Sequence, residues 1–249
     1  MPHSLLDINA AADHLRLTRE DIETLVRRRE IPHEFVGGRL IFRHKDIDEW
    51  ASMRILGDAH SSARGRQARP HGAARNISDS VPIVSDLLKP ECVTAELPGH
   101  TKPAVLRAMV KLAERSEIGY DPEDLLRSLR EREELCSTAL PGGVALLHPR
   151  HHEPYMFEDS FMAFGRVPAA VPFGAPDGGM TDLFFLICCQ NDQIHLHVLA
   201  RICLMATRTT LLADLREASD SEAIMLAMQQ AEAAVINPLK KPSSKEDSK

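Results

Sequence analysis

The sequence predicts an α+β protein with two modules: an N-terminal winged helix-turn-helix, and a larger three-layer α/β/α domain with a mixed sheet. Two short helical patterns and a hairpin signal fill the first fifty residues. Helical and strand patterns then alternate between about residues 81 and 235. Between these regions, residues 57–80 are rich in Gly, Ala, Ser and Arg and have no apolar periodicity, which is typical of a flexible linker.

These patterns divide the chain into four predicted segments. We expect a helix-turn-helix at 1–56, the linker at 57–80, the α/β domain at 81–236 and a disordered polar tail at 237–249. Residues 1–76 carry 13 Lys+Arg against 11 Asp+Glu, or +2, whereas residues 77–249 carry 17 against 25, or −8. This asymmetry favours nucleic acid as the partner of the N-terminal module.

The composition indicates a globular cytoplasmic protein. The longest apolar run, Leu183 to Cys189, has seven residues, far short of the roughly 20 that span a bilayer, so we expect no membrane insertion. The N-terminal sequence lacks the basic and apolar regions of a signal peptide. Five scattered cysteines favour buried, reduced thiols. Neither a P-loop nor GxGxxG occurs, so we expect no nucleotide cofactor.

The first module is predicted element by element. Residues 7–17 and 18–30 have helical periodicity, and Thr18 with Asp21 gives the second helix a capping-box-like start. After Pro32, two β-type runs flank Gly37-Gly38, which predicts a two-residue hairpin. A closing helix is predicted from Lys45 to Met53.

This order of elements resembles the small excisionase-type and MerR-like DNA-binding domains. The matching motifs are Ala11 to Leu15, Thr18 to Val26, Arg29 to Pro32, Val36 to Arg39 and Asp46 to Trp50. The resemblance implies that the second helix enters the major groove and that the hairpin contacts the backbone. The residues that it assigns to DNA are Thr18, Arg19, Glu23, Arg27 and Arg28 in the helix, and Arg39 in the hairpin. Binding to protein is the alternative for this module.

The second module alternates helices and strands. Helices are predicted at 83–88, 102–115, 121–135, 193–206, 210–217 and 221–234. Strands are predicted at 92–97, 144–147, 161–166 and 183–189. Strands separated by helices favour a sheet covered on both faces.

The chemistry is expected between Arg130 and His152. This stretch predicts a helix end, a hydroxyl pair at Ser137-Thr138, a Gly-containing turn, and a short apolar strand that delivers His148. An imidazole at a strand end, beside a turn with spare backbone N–H groups and an arginine, suits the capture of a phosphoryl group.

The second module also resembles the type-2 enzyme IIA domains of the bacterial phosphotransferase system, the fructose/mannitol and nitrogen-regulatory class. The motifs, from Ser85 to about Ala234, are VSDLLKPECV at 84–93, REELCST at 132–138, GVALLH at 143–148, FGAPDG at 173–178, LFFL at 183–186 and HLHVLA at 195–200. The family's glycines are replaced by Cys136, Ala139 and Pro141, and Leu147 stands where the family has proline.

The resemblance implies a set of roles. His148 would be the phosphoryl-accepting nucleophile, Arg132 would balance the phosphoryl charge, and His195 would donate a hydrogen bond to a phosphoryl oxygen. Ser137 and Thr138 are either hydroxyl donors to the phosphate or turn-forming residues. The implied partners are an HPr-like phosphocarrier as donor, DNA, and a separate permease subunit or regulatory protein.

Three functions stay open from the sequence. The leading hypothesis is a regulator in which phosphorylation of His148 changes DNA binding. A sugar-transport enzyme IIA that passes phosphate to a separate permease, and an interaction protein that accepts no phosphate, are the alternatives. Zinc binding by His148, His151, His152, His195 and His197 is also considered, but the family resemblance already explains His148 and His195, so no metal site is predicted.

Overall fold

The computed structural model describes residues 5–15, 17–44, 46–47, 50–51, 82–150, 156–190 and 192–236. The predicted linker at 57–80 and tail at 237–249 lie outside these residues, as do His151 and His152. The boundaries proposed for the linker and the tail therefore stay predictions.

The N-terminal module contains strand β1 (Leu5–Leu6), helices α1 (Ile8–Leu15) and α2 (Arg19–Arg27), and a hairpin of β2 (Glu34–Val36) and β3 (Arg39–Arg43). Both outer strands pair antiparallel with β3, which gives the sheet order β1-β3-β2. Described residues between His44 and Ala51 are helical. The predicted winged helix-turn-helix plan is therefore present, although both early helices are shorter than expected.

Local interactions explain the boundaries of α2 and of the hairpin. The Thr18 hydroxyl accepts a hydrogen bond from the Asp21 N–H at 3.2 Å, and the Asp21 carboxylate accepts one from the Thr18 N–H at 3.1 Å. This reciprocal capping box fixes the start of α2. Gly37 and Gly38 have φ values of 59° and 79°, as a two-residue primed turn requires.

The second module is built on a five-stranded mixed sheet of order β4-β7-β8-β6-β5. The strands are β4 (Leu88–Thr94), β5 (Ala139–Leu140), β6 (Val144–Leu147), β7 (Phe161–Val171) and β8 (Thr181–Cys188). Strand β6 runs parallel to β8 and β4 runs parallel to β7, whereas the β7–β8 and β5–β6 pairs are antiparallel.

Helices cover both faces of this sheet. The helices are α3 (Val84–Leu87), α4 (Lys102–Ala113) with a 3₁₀ turn at Glu114–Ser116, α5 (Pro122–Leu135), α6 (Asp192–Arg208), α7 (Leu211–Glu217) and α8 (Ser221–Ile236). Alternate residues of β8 enter two apolar cores: Leu183, Phe185 and Ile187 join one with α6 to α8, and Phe184, Leu186 and Cys188 join the other with α4 and α5. The predicted three-layer α/β/α arrangement is confirmed.

Three strands differ from the sequence-based expectation, and one of them, β7, runs to Val171 instead of ending at Arg166. Strand β4 begins at Leu88, although it was predicted to begin at Cys92. Pro90 lies inside β4 and argues against a strand in sequence, but β4 is an edge strand, where a missing N–H is tolerated. Strand β5 was predicted as part of a loop because two residues have no periodicity.

A buried carboxylate joins the two ends of the second module. Glu232 of α8 accepts hydrogen bonds from the N–H groups of Ile83, Val84 and Ser85 at 2.8–2.9 Å. Its second interaction is with the Arg201 guanidinium of α6 at 3.3 Å. Helix α3 is thereby capped by a side chain that lies about 150 residues away in sequence.

No single helix in the described ranges is long and apolar enough to cross a membrane. Residues Ile194–Arg208 and Leu211–Glu217 reach that length and composition only as a pair, bent by 83°.

Candidate functional site

Three elements bring their ends together at one edge of the five-stranded sheet. Because β6 and β8 are parallel, their carboxyl ends meet at the same edge. His148 follows β6, and α6, which carries His195, begins shortly after β8. Arg132 lies in the last turn of α5. Backbone topology therefore places two imidazoles and one guanidinium around a single point.

Hydrogen bonds at both ring nitrogens hold His148 in one orientation. Its Nδ1 lies 2.8 Å from the Leu146 carbonyl oxygen, and the Arg132 Nε lies 3.0 Å from its Nε2. A carbonyl only accepts and a guanidinium only donates, so Nδ1 carries the proton and Nε2 offers its lone pair to Arg132. Nε2 is thus the basic and nucleophilic nitrogen of this imidazole.

The site is closed from solvent. His148 and His195 are each 2% exposed, and Arg132 is 3% exposed. The two imidazole centroids lie 4.7 Å apart with the rings tilted by 48°. Arg132 also donates from Nη1 to the Cys136 carbonyl at 2.9 Å, which fixes the guanidinium against the loop after α5.

The hydroxyls of Ser137 and Thr138 are engaged with protein acceptors. Thr138 donates its hydroxyl to Glu133 at 2.7 Å and its N–H to the same carboxylate. Ser137 donates to the Phe173 carbonyl at 3.0 Å. Both residues therefore hold the loop beside His148, in the manner of turn-forming residues.

Sequence reasoning missed the residue that anchors this loop. Glu133 is buried and accepts the two hydrogen bonds from Thr138 and an ion pair from Lys102 Nζ at 2.9 Å. Lys102 also lies over the Phe173 ring, 4.7 Å from its centroid. Glu133 belongs to an acidic run in α5, and nothing in its sequence context separates it from its exposed neighbours.

The Gly-containing turn is not beside the imidazole, which corrects one expectation. Gly142 and Gly143 precede β6 whereas His148 follows it, so five extended steps of about 3.3 Å, roughly 16 Å, separate Gly143 from His148. Gly143 has φ 80°, a conformation that side-chain-bearing residues rarely adopt, and a Cβ there would lie 3.2 Å from the Met180 carbonyl oxygen, so glycine is favoured at this position. The turn therefore lies at the start of β6, at the opposite end of the strand from His148.

The replacement of a family glycine by Cys136 is compatible with the observed backbone. Cys136 has φ −166° and ψ 138°, an extended conformation open to any residue. It is exposed, unlike the other four cysteines, and none of the five is in a disulfide. Burial raises the pKa of the Cys92, Cys189 and Cys203 thiols to about 12, and that of Cys188 well above its usual range.

The predicted DNA-binding residues lie on the exposed surface of the N-terminal module. Helix α2 buries Ile22 and Leu25 and leaves its other side open to solvent. The predicted contacts Thr18, Arg19, Arg27, Arg28 and Arg39 are all exposed. Glu23, also predicted, is half-buried and pairs with Arg19 at 2.9 Å.

No group of three or more potential metal ligands is present in the part of the chain that the structure describes. Of the five histidines considered for zinc, His148, His195 and His197 belong to that part.

Comparisons with known proteins agree with this architecture. The family described as "Phosphoenolpyruvate-dependent sugar phosphotransferase system, EIIA 2" matches residues 86–231, and a helix-turn-helix domain family matches residues 5–54. A nitrogen regulatory protein of Pseudomonas aeruginosa is 29% identical over 143 residues, which is 57% of this chain and 91% of that protein. One of Klebsiella oxytoca is 25% identical over 159 residues, 62% of this chain and 94% of the relative.

Solved structures show the same fold in the second module. The nitrogen regulatory protein IIA-Ntr of Neisseria meningitidis has a TM-score of 0.54 at 26% identity, covering 59% of this chain and 99% of that one. Escherichia coli IIA mannitol has a TM-score of 0.50 at 17% identity, covering 56% and 97%. With a family match over more than half of its residues, the chain belongs to the EIIA 2 family of the phosphotransferase system and carries an N-terminal helix-turn-helix domain.

Proposed function

We propose that this protein is a regulatory phosphocarrier that accepts a phosphoryl group on His148 and couples its phosphorylation state to DNA binding. The observation that carries the proposal is the oriented imidazole. Its Nε2 lone pair faces the Arg132 guanidinium at 3.0 Å, and His195 lies against its ring. The donor is an HPr-like phosphohistidine protein.

The transfer exchanges one P–N bond for another. The His148 Nε2 lone pair attacks phosphorus in line, the donor's P–N bond breaks, and the electron pair of that bond returns to the donor imidazole. The Nδ1 proton stays in place because the Leu146 carbonyl accepts it at 2.8 Å, which stabilises the positive charge that the imidazole gains. Arg132 turns from Nε2 to the incoming phosphoryl oxygens as attack begins.

A regulatory role is favoured by two features taken together. The relatives in Pseudomonas aeruginosa and Klebsiella oxytoca are named nitrogen regulatory proteins. The N-terminal module belongs to a helix-turn-helix family and exposes arginines along α2 and at the start of β3. Arginines on an exposed helix face suit phosphate contacts and base readout in a major groove.

The proposal is tested by phosphorylation from phosphoenolpyruvate through enzyme I and HPr. Intact mass after alkaline quenching should show one acid-labile phosphate on the wild type and none on His148→Ala. His100→Ala is the matched control because His100 is an exposed histidine in the turn before α4, and it should be phosphorylated like the wild type. Phosphate on His148→Ala, or none on the wild type, rejects the proposal.

Coupling to DNA is tested separately. Fluorescence anisotropy with random-sequence duplex should show binding that weakens as salt increases, because arginine contacts release counterions from phosphates. Arg27→Ala and Arg28→Ala should each weaken binding, and a phosphorylated sample should differ from an unphosphorylated one by several-fold. Identical affinities for the two forms reject the coupling.

A further inference from the structure

The N-terminal module contacts the first turn of α6. His44 directly follows β3, and its Nδ1 lies 3.5 Å from Asp192 Oδ2, within ion-pair distance when the imidazole is protonated. One turn further, the partly buried Leu196 packs against the apolar core of the N-terminal module, which includes Phe42 and Ile47. One polar and one apolar contact therefore join the two modules at a single helical turn.

The same turn forms a wall of the phosphoryl site. His195 lies between the two contact residues in sequence, and its ring is 4.7 Å from that of His148. At 100° per residue, positions 192, 195 and 196 fall within an arc of roughly 100° on one side of α6. The N-terminal module thus lies against the helical turn that positions His195. This turn, from Asp192 to Leu196, forms the rim of the phosphoryl site.

A protein donor needs this rim. Phosphoryl transfer brings the donor's histidine in line with His148 Nε2, and a specific protein contact covers about 800 Å² on each partner. His148 and His195 are each 2% exposed with the module in place. A donor that covers an area of this size around His148 would also cover the first turn of α6, which the module contacts through Asp192 and Leu196.

We propose that the N-terminal module and the phosphoryl donor compete for the first turn of α6. The module covers the rim in the unphosphorylated protein and leaves when the donor binds; the identity of the competitor as a phosphoryl donor rests on the proposed function. Because such competition is reciprocal, docking of the module weakens donor binding by the same factor by which donor binding weakens docking. The surface is thereby the physical link between the phosphoryl site and the DNA-binding module.

The contact is tested without phosphate by labelling histidines with diethylpyrocarbonate in the full-length protein. His44→Glu places two carboxylates opposite each other and should speed His148 labelling at least threefold, as read by peptide mass; His44→Ala should give a smaller increase. Val36→Glu is the control: it adds a carboxylate to the same module at an exposed residue of β2, which pairs with Arg39 at the end of β3 that lies away from His44. It should leave the His148 labelling rate unchanged.

A second arm measures initial phosphorylation rates from HPr for the same variants, and His44→Glu should be faster by a similar factor. Unchanged His148 labelling in both His44 variants overturns the docking inference, whatever the phosphorylation rates. Faster labelling with unchanged phosphorylation overturns the competition. Faster labelling with no phosphate uptake by any form overturns the proposed function instead, because His148 is then covered by the module without being a phosphoryl acceptor.

Discussion

Replacing Arg132 by alanine tests whether the guanidinium stabilises the transferring phosphoryl group. Arg132 is 3% exposed and donates to His148 Nε2 at 3.0 Å and to the Cys136 carbonyl at 2.9 Å. During transfer, negative charge on the phosphoryl oxygens develops next to this cation. Removing one preorganised donor from such a position typically lowers a rate by about 100- to 1000-fold, or roughly 2.7–4 kcal/mol.

The expected loss of stability is smaller than the loss of rate. Cys136 is exposed, so water replaces the guanidinium at its carbonyl, and the lost hydrogen bonds should lower the free energy of unfolding by about 1–2 kcal/mol. Arg132→Lys keeps the charge without the planar fork, so it should fall between the wild type and Arg132→Ala. Measuring both the phosphorylation rate and the free energy of unfolding therefore separates a functional role of Arg132 from a structural one.

The assay is single-turnover phosphorylation by stoichiometric phospho-HPr, with urea unfolding measured in parallel. Arg127→Ala is the matched control, because Arg127 is an exposed arginine of the same helix that pairs with Asp124 at 2.6 Å. Its rate should stay within twofold of the wild type. An Arg132→Ala rate within threefold of the wild type refutes the role, and a faster rate shows that the guanidinium masks Nε2.

Three further predictions concern the buried groups of the second module. Glu232→Ala should lower the free energy of unfolding by about 3–5 kcal/mol in urea titrations, because it removes the buried carboxylate partner of Arg201 and the acceptor of three N–H groups. The control is Gln229→Ala, an exposed position on the same helix, which should lower it by less than about 0.5 kcal/mol. At pH 8, iodoacetamide should alkylate Cys136 alone in the native protein. A second alkylated cysteine in the peptide mass map would contradict the shielding of the other four, of which three are buried and Cys203 is partly buried. Burial raises the pKa of the Cys92, Cys189 and Cys203 thiols from 9.0, so the native state holds their protons more tightly than the unfolded state. Their contribution to the free energy of unfolding should be complete below pH 9 and decrease as pH rises towards 12. A thermal midpoint that rises over this pH range would contradict the prediction.

The sequence predicts the elements of this fold where periodicity is strong. The helices at 102–113 and 122–135 have clear apolar patterns and N-terminal caps, and the strand at 144–147 has a clear apolar pattern. All three appear within two residues of their predicted bounds. The predicted start of β4 was four residues too late, because an internal proline is typical of a break in a strand. The proline is tolerated only because β4 lies at the edge of the sheet. Edge position is a tertiary property that local patterns do not contain.

The candidate site also contains residues that the sequence predicts and contacts that it does not. His148, Arg132 and His195 have motif spacings that place them together, and the structure brings them within hydrogen-bond or ring-contact distance. The direction of the Thr138 hydroxyl towards Glu133 has no sequence signal, because a hydroxyl that faces a carboxylate and one that faces a phosphate occupy the same position in a motif. The pair of His44 and Asp192 joins residues 148 apart and likewise has no local signature.

If His148 accepts a phosphoryl group through Nε2, as proposed, the phosphate must be bonded to that nitrogen, and identifying the phosphorylated nitrogen is the most direct test. Protein labelled with ¹⁵N-histidine, phosphorylated through enzyme I and HPr, should show ³¹P–¹⁵N coupling to Nε2 of His148. The signal should be absent from His148→Ala. Coupling to Nδ1 would contradict the hydrogen bond from Nδ1 to Leu146, and phosphate on another residue, or on none, would contradict the account as a whole.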